Sequence, residues 1–151
     1  MKLDIGCGEN KHKGYIGIDK RNLPTVDYII DLDKQPLPFP DDSVEEVLLY
    51  NVLEHLESPW KVMREVIRVC KNGATIKVRV PYPYHPNAFR DPEHKYLIPP
   101  HWFNLFKELK IVEVELHYPS PMLGRVFRLV MPHKISELQP DEYRITLRVK
   151  K

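Results

Sequence analysis

Two glycines separated by one residue follow a short apolar strand in Leu3-Asp4-Ile5-Gly6-Cys7-Gly8. Glycine has no Cβ, so the backbone can turn tightly there and a ligand can lie against it. A second short strand, Tyr15-Ile16-Gly17-Ile18, ends in Asp19. A carboxylate at the tip of the next parallel strand can accept hydrogen bonds from a ribose diol. The two strands therefore predict half of a site for an adenosine-containing ligand.

The glycine pair does not fit a dinucleotide site. The dinucleotide fingerprint requires a third glycine and an acid about 20 residues further on. In this chain Lys11 holds the third glycine's position, and Asp19 comes too early. On these residues alone, an ordinary tight turn remains the alternative to a ligand site.

Later segments repeat the order of an apolar strand followed by polar residues. Asp31-Leu32-Asp33 follows Tyr28-Ile29-Ile30, and Asn51-Val52-Leu53-Glu54-His55 follows a strand that ends near Tyr50. This order resembles the class I S-adenosylmethionine-dependent methyltransferases, especially the broad group with a V-L-E-H motif. The resemblance extends roughly from Leu3 to Pro81, in a form shortened at the N-terminus.

The resemblance implies S-adenosylmethionine as the cofactor. It assigns cofactor contacts to these residues: Asp4, Gly6, Gly8, Asp19, Asp31, Leu32 and Asn51. In the family, the glycines lie under the methionine and ribose, Asp4 matches the acid near the methionine amino group, and Asp19 matches the ribose acid. Asp31 and Leu32 fall where adenine is contacted, and Asn51 falls where the methyl group is faced.

The pattern of elements predicts an α/β, Rossmann-like fold with a mostly parallel seven-stranded sheet, in a single domain of residues 1–151. The connections Gly8–Tyr15 and Lys20–Thr25 are too short for helices, and Pro24 lies in the second. We therefore expect helices to be missing from one face of the sheet. Alternation of Ile76, Val78 and Val80 with polar residues supports a wet face.

Two later strands should alternate in the same way. Val112, Val114 and Leu116 are predicted to point inward from one of them, and residues 144–150 form the other. The resemblance places the last strand between the other two. We expect its arginines, Arg144 and Arg148, to pair with glutamates of the neighbouring strand, Glu113 and Glu115.

Three occupants of the open face are considered. Water is the simplest, and a second copy of the chain would make a homodimer. Nucleic acid is the third, bound by the basic residues Lys77, Arg79, Arg144 and Arg148. The interleaved glutamates would weaken binding to phosphates.

Two helices should cover the opposite face. The first begins at Ser58-Pro59, which suit the cap and first helical position, and ends at Asn72-Gly73. Its apolar side consists of residues at helical spacing: Trp60, Met63, Val66, Ile67 and Cys70. The second helix should extend from about Pro100 to Leu109, with Trp102, Phe103, Phe106 and Leu109 on its apolar side.

The long proline-rich loop from Pro81 to Tyr96 follows the carboxyl end of a parallel strand, where open α/β sheets place ligands. We expect it to shape the acceptor site. His94 and His85 are the candidate catalytic bases, because imidazole titrates near neutral pH. Hydrogen bonding within the loop is the alternative role, and His55 is expected to be structural or to line the pocket.

No metal site is predicted, although the loop region is rich in possible ligands: His85, Asp91, Glu93, His94 and His101. A zinc site needs three or four ligands converging on one point. These residues show no tight ligand motif, and such loops are commonly just polar.

Composition sets the remaining expectations. The net charge of +2 is too small to imply nucleic acid, and two cysteines fit a reducing cytoplasm. No signal peptide and no membrane span are expected. Residues 120–143 are interpreted as a lid or an interface.

The sequence thus predicts a methyltransferase that acts on a small or medium-sized acceptor. Two alternatives stay open. One is an enzyme that acts on RNA or protein, and the other is a non-catalytic, cofactor-binding subunit of a larger assembly.

Overall fold

The computed structural model describes residues 1–118 and 140–151. Within these residues, seven strands form one sheet: β1 (Lys2–Ile5), β2 (Ile16–Asp19), β3 (Tyr28–Ile29), β4 (Val44–Tyr50), β5 (Cys70–Pro81), β6 (Leu109–His117) and β7 (Glu142–Val149). Their order is β3-β2-β1-β4-β5-β7-β6. The first five strands pair in parallel, and β7 is antiparallel to both β5 and β6.

The expected sheet, with its last strand between β5 and β6, is confirmed. The interpretation of residues 120–143 as a lid or interface falls largely outside the described residues.

One face of the sheet carries the hydrophobic core. Helix α1 (Pro59–Val69) lies against it with Val62, Met63 and Val66 buried among Leu49, Ile76 and other strand residues. Two short 3-10 helices, Leu53–His55 and Pro100–Leu105, and the single turn α2 (Asn87–Arg90) complete the helical elements of the described residues.

The first predicted helix is correct in its start and wrong in its end. It stops at Val69, and Cys70 is already in β5, where it pairs with Val44 of β4. Gly73 takes a positive φ of 82°, as a capping glycine would, but inside the strand. Trp60, predicted in the core, is 48% exposed.

The second predicted helix is a 3-10 helix that stops at Leu105 rather than continuing to Leu109. Its predicted apolar residues still pack on the core, with Phe103 fully buried. In β6 the register shifts between Ile111 and Glu113, and Val114 and Leu116 lie opposite Ile145 and Tyr143 of β7. Val112, Val114 and Leu116 are nevertheless exposed on this edge strand, so the expected inward packing is wrong.

The opposite face of the sheet carries charged residues that are paired within the chain. Lys77 lies 2.7 Å from Glu46, and the Arg79 guanidinium lies 3.9 Å from the centre of the Tyr50 ring. Arg144 lies opposite Glu115 in the register, but its Nε donates to Glu142 at 2.7 Å. The expected pairing of Arg144 and Arg148 with Glu113 and Glu115 is therefore wrong. Arg148 donates to the Gly73 carbonyl instead.

Glu46 is the centre of the ionic cluster on this face. Lys2 and Lys77 lie 2.8 and 2.7 Å from its two oxygens, and the Tyr15 hydroxyl also hydrogen-bonds to it. Burial opposes ionisation of Glu46, but these hydrogen bonds outweigh burial and lower the pKa of the carboxyl to about 2. The loop from Gly8 to Tyr15 thus folds onto the sheet through this cluster.

Replacing Glu46 by Gln should lower the free energy of unfolding by about 1–3 kcal/mol at pH 7. Because the pKa is lower in the folded state, the contribution is complete above about pH 5 and is lost as the pH falls toward 2. Urea denaturation of both proteins across this pH range measures the difference. Glu45→Gln is the matched control, since Glu45 is 57% exposed and pairs only at the surface with Lys71 and the N-terminus. We expect it to change the free energy of unfolding by less than about 1 kcal/mol. An equal loss of stability in Glu46→Gln and Glu45→Gln would contradict the prediction.

Among residues 1–118 and 140–151, no helix has the length and apolar character needed to cross a bilayer.

Candidate functional site

A cavity of about 680 Å³ opens at the carboxyl ends of β1, β2 and β4. This volume lies within the range of about 300–1,000 Å³ that is common for small-molecule sites. Five of the residues assigned to cofactor binding from the sequence lie on its wall: Gly6, Asp19, Asp31, Leu32 and Asn51. The sheet brings them together because parallel strands end at one edge.

The turn after β1 is held close to β2. Gly6 has a positive φ of 69°, and its N–H donates to the Ile18 carbonyl at 2.7 Å. A Cβ on Gly6 would overlap Cγ2 of Val52, another residue of the cavity wall. This position therefore requires glycine for both conformation and space.

Asp19 connects the glycine turn to the cavity. Its Oδ2 accepts from the Gly8 N–H at 3.0 Å, and its Oδ1 accepts from the Arg21 N–H at 2.9 Å and from Arg21 Nε at 3.2 Å. Burial of Asp19 works against ionisation, but the hydrogen bonds from Arg21 and Gly8 prevail and lower the pKa of this carboxyl. An ionised acceptor therefore stands at the tip of β2, as a ribose site requires.

Asp31 and Leu32 follow β3 on the same wall. Lys34 lies 2.7 Å from Asp31 and, through this contact, lowers the pKa of the carboxyl. Leu32 is half-buried and packs against the core. Together they place a hydrogen-bond acceptor beside an apolar surface, an arrangement that suits a heterocyclic base.

Asn51 directly follows β4 and has a positive φ of 55°. Asparagine is one of the residues that tolerate this left-handed conformation. Its N–H donates to the Arg79 carbonyl at 3.0 Å, which fixes the end of β4 against β5. The exposed Asn51 side chain lies on the cavity wall.

Asp4 and Gly8 are not on the wall of the cavity. The buried Asp4 carboxylate holds the loop that follows the glycine turn: its Oδ2 accepts from the His12 N–H at 2.8 Å and lies 2.9 Å from His12 Nδ1. Gly8 reaches the site indirectly, through its hydrogen bond to Asp19. Both residues hold the turn in place, and a cofactor contact by either stays a prediction.

Comparison with known proteins finds methyltransferases. A family model described as "Methyltransferase domain" matches residues 13–78. A probable S-adenosylmethionine-dependent methyltransferase of Mycobacterium tuberculosis is 28% identical over 95 residues, which cover 52% of this chain and 35% of that protein. The crystal structure of a SAM-dependent methyltransferase from Archaeoglobus fulgidus matches with a TM-score of 0.71 at 21% identity, over 97% of this chain and 85% of that one.

Residues 13–78 are similar to a methyltransferase domain, and the fold is that of the class I S-adenosylmethionine-dependent methyltransferases. S-adenosylmethionine is the cofactor of this family. The chain spans about a third of the length of the curated relatives it matches. A further structural neighbour is a putative methyltransferase solved in complex with the Trm112 methyltransferase activator of Haloferax volcanii. That match has a TM-score of 0.61 at 17% identity, over 98% of this chain and 80% of that one.

The loop that follows β5 is hydrogen-bonded to the V-L-E-H segment. The Glu54 carbonyl accepts from the N–H groups of Lys95 and Tyr96 at 2.7 and 3.3 Å. The Lys95 ammonium lies 2.6 Å from the Glu57 carboxylate, and both residues line the cavity. The end of the proline-rich loop is therefore part of the cavity wall.

Neither candidate base, His94 or His85, lies on the wall of the cavity. His94 places Nδ1 3.0 Å from the Ala88 carbonyl, and its ring meets the His55 ring edge to face at a centroid distance of 4.7 Å. His85 is half-buried, and its N–H donates to the Tyr82 carbonyl. His55, by contrast, lies on the wall, in agreement with the expectation that it lines the pocket.

The pKa values of Glu54 and His55 are both shifted from their ordinary values. Burial raises the pKa of Glu54 to about 7. Burial, with a contribution from His94, lowers the pKa of His55. Perturbed groups of this kind are concentrated at functional sites.

Several residues of the site escape an argument from sequence alone. Arg21 and His12, which hold Asp19 and Asp4, come from loops without a recognisable pattern. The sequence identifies Val52 only as part of the V-L-E-H motif. The nearness of Glu54 to His94 depends on a contact between two loops that the sequence separates by about forty residues.

Proposed function

We propose that this chain binds S-adenosylmethionine in the cavity at the carboxyl edge of the sheet and transfers its methyl group to a small or medium-sized acceptor. The observation that carries the proposal is the gathering of Gly6, Asp19, Asp31, Leu32 and Asn51 around one cavity of suitable volume. The close backbone at Gly6 and the ionised Asp19 fit the methionine and ribose parts of that cofactor.

The sulfonium of the cofactor supplies a methyl group that is already activated for attack by oxygen, nitrogen or carbon. The work of the protein is to align the acceptor and to exclude water, and alignment alone can supply several kcal/mol. The loop after β5 is suited to this work, because Lys95 and Tyr96 anchor it to Glu54 at the cavity. A base is needed only where the acceptor must lose a proton. His94 and His85 remain the predicted bases for that case.

A small acceptor is favoured over RNA by the pairing of charges on the open face. Lys77 pairs with Glu46, Arg79 stacks on Tyr50, and Arg144 pairs with Glu142. Cations that are already paired gain less from phosphate groups than free ones do. A homodimer through this face and a cytoplasmic location stay predictions.

A second candidate is a cofactor-binding chain that acts only with a partner protein. The neighbour solved with its Haloferax volcanii activator gives this candidate a precedent in the same fold. It predicts cofactor binding by the isolated chain without turnover of any acceptor.

Isothermal titration with S-adenosylmethionine and S-adenosylhomocysteine tests the proposal. We expect micromolar binding of both, and we expect Asp19→Asn to weaken it about tenfold to a hundredfold, because the diol loses a charged acceptor. Asp42→Asn is the matched control, because Asp42 is an exposed carboxylate just before β4, at the opposite edge of the sheet. It should bind like the parent chain.

The outcomes separate the candidates. Binding that Asp19→Asn loses and Asp42→Asn keeps supports the cofactor site and justifies a screen of small acceptors. No binding by a folded parent chain would refute the proposal. Binding without turnover until a partner protein is added would favour the second candidate.

A further inference from the structure

Three side chains from two separate segments converge beside the cofactor cavity. Glu54 and His55 belong to the 3-10 helix after β4, and His94 belongs to the loop after β5. Each offers one ligand atom, and the three atoms all lie within 4.8 Å of one another. This group shares only His94 with the set of possible ligands considered from the sequence.

The carboxylate of this group is buried without a partner. Glu54 is 1% exposed, and within the described part of the chain neither of its oxygens has a hydrogen-bond partner. His55 Nδ1 is buried and unpartnered in the same way. Buried charged groups are normally paired with an opposite charge or coordinate a metal. Glu54 and His55 therefore both have buried atoms that could bind a metal ion and that make no hydrogen bond.

The third side chain is oriented as a metal ligand would be. The carbonyl of Ala88, 3.0 Å from His94 Nδ1, can only accept, so Nδ1 carries the proton, and in the neutral ring Nε2 keeps its lone pair. Asp91 Oδ2 lies 3.8 Å from this nitrogen. Histidines that bind metals usually donate their other ring N–H to a carbonyl or carboxylate in this way. The hydrogen bond fixes both the tautomer and the direction of the ring.

We propose that Glu54, His55 and His94 form a binding site for a divalent transition-metal ion, with zinc as the best-matched occupant. Two imidazoles and one carboxylate suit zinc better than magnesium or calcium, which prefer oxygen ligands. Three protein ligands leave a fourth tetrahedral position for water or for an oxygen of the acceptor. The site gives His94 the role of a ligand in place of a proton acceptor.

The bound ion would connect two segments that already meet through the backbone. The Glu54 carbonyl accepts from Lys95 and Tyr96, next to His94. Because His55 also lines the cofactor cavity, the ion would lie at the border between the cofactor and the loop after β5. The competing explanation is a protonated Glu54 that needs no cation, and it predicts no metal binding.

Zinc titration of the untagged chain, after removal of metals and in competition with a chromophoric chelator, tests the site. We expect one equivalent to bind, and we expect Glu54→Gln, His55→Gln and His94→Gln each to lower the affinity at least tenfold. His101→Gln is the matched control, since His101 is an exposed histidine on the 3-10 helix Pro100–Leu105. It should bind zinc like the parent chain. Cobalt substitution should give the intense visible absorption of a four-coordinate site, weakened in the same three variants.

Failure of the folded parent chain to bind zinc would overturn the proposal. So would an equal loss in His101→Gln, which would mean adventitious binding by surface histidines. Circular dichroism verifies folding of each variant, and Glu54→Gln preserves the shape of the side chain if a histidine variant fails to fold. Binding of S-adenosylmethionine is measured separately, so the cofactor proposal and the metal proposal can fail independently.

Discussion

Gly6→Ala should lower the affinity for S-adenosylmethionine about a hundredfold or more, which corresponds to about 2.7 kcal/mol. The added methyl group would overlap Val52 Cγ2 on the cavity wall and would keep the cofactor from lying against the backbone. Isothermal titration with the cofactor measures the loss. The same substitution should lower the free energy of unfolding by about 1–3 kcal/mol, because alanine is strained at a φ of 69° and the space is full.

Two further variants separate strain from crowding. Gly14 also has a positive φ, of 84°, but a Cβ there would meet no atom within 4 Å. Gly14→Ala should therefore cost only about 1 kcal/mol of stability and leave cofactor binding intact. The double variant Gly6→Ala, Val52→Ala removes the overlapping methyl group and should recover part of the lost stability. Normal cofactor affinity in folded Gly6→Ala would contradict the proposed position of the ligand.

The carboxyl edge of the sheet was predictable because its residues lie at the ends of apolar strands. A parallel sheet places all such ends together, and the family resemblance added Asp31 and Asn51 to the site that Gly6 and Asp19 indicated. The side chains that hold this edge were not predictable in the same way. Arg21, which fixes Asp19, lies in an irregular connection whose path depends on tertiary contacts.

The end of α1 shows how pairing between strands overrides a local signal. Asn72-Gly73 has the composition of a helix cap, and Gly73 does adopt a positive φ. The chain nevertheless leaves the helix at Cys70, because that residue pairs with Val44 and extends β5. Local sequence predicted the glycine's backbone conformation but not the element that uses it.

The Glu54, His55 and His94 cluster was beyond sequence reasoning for a different reason. The motif places Glu54 and His55 side by side, but nothing in the sequence predicts that the loop after β5 returns to the same point. Its return depends on the hydrogen bonds from Lys95 and Tyr96 to the Glu54 carbonyl. Contacts between two loops are the hardest contacts to predict from a single sequence.

Phe103→Ala should lower the free energy of unfolding by about 3–5 kcal/mol. Phe103 is fully buried, and it lies in the 3-10 helix Pro100–Leu105, which contacts β6. Its ring meets the Trp102 ring edge to face at a centroid distance of 5.2 Å. Removing it leaves a cavity that the surrounding sheet residues cannot fill without moving. Urea denaturation monitored by tryptophan fluorescence and by circular dichroism measures the loss.

Leu105→Ala is the matched control in the same short helix, because Leu105 is 68% exposed. We expect it to change stability by no more than about 0.5 kcal/mol. A loss of 3–5 kcal/mol is a large fraction of the 5–15 kcal/mol that typically stabilises a domain. Phe103 therefore anchors the segment between β5 and β6 even though the predicted ten-residue helix is absent. Similar losses in the two variants would mean that this segment is held by its backbone geometry rather than by burial of the phenylalanine.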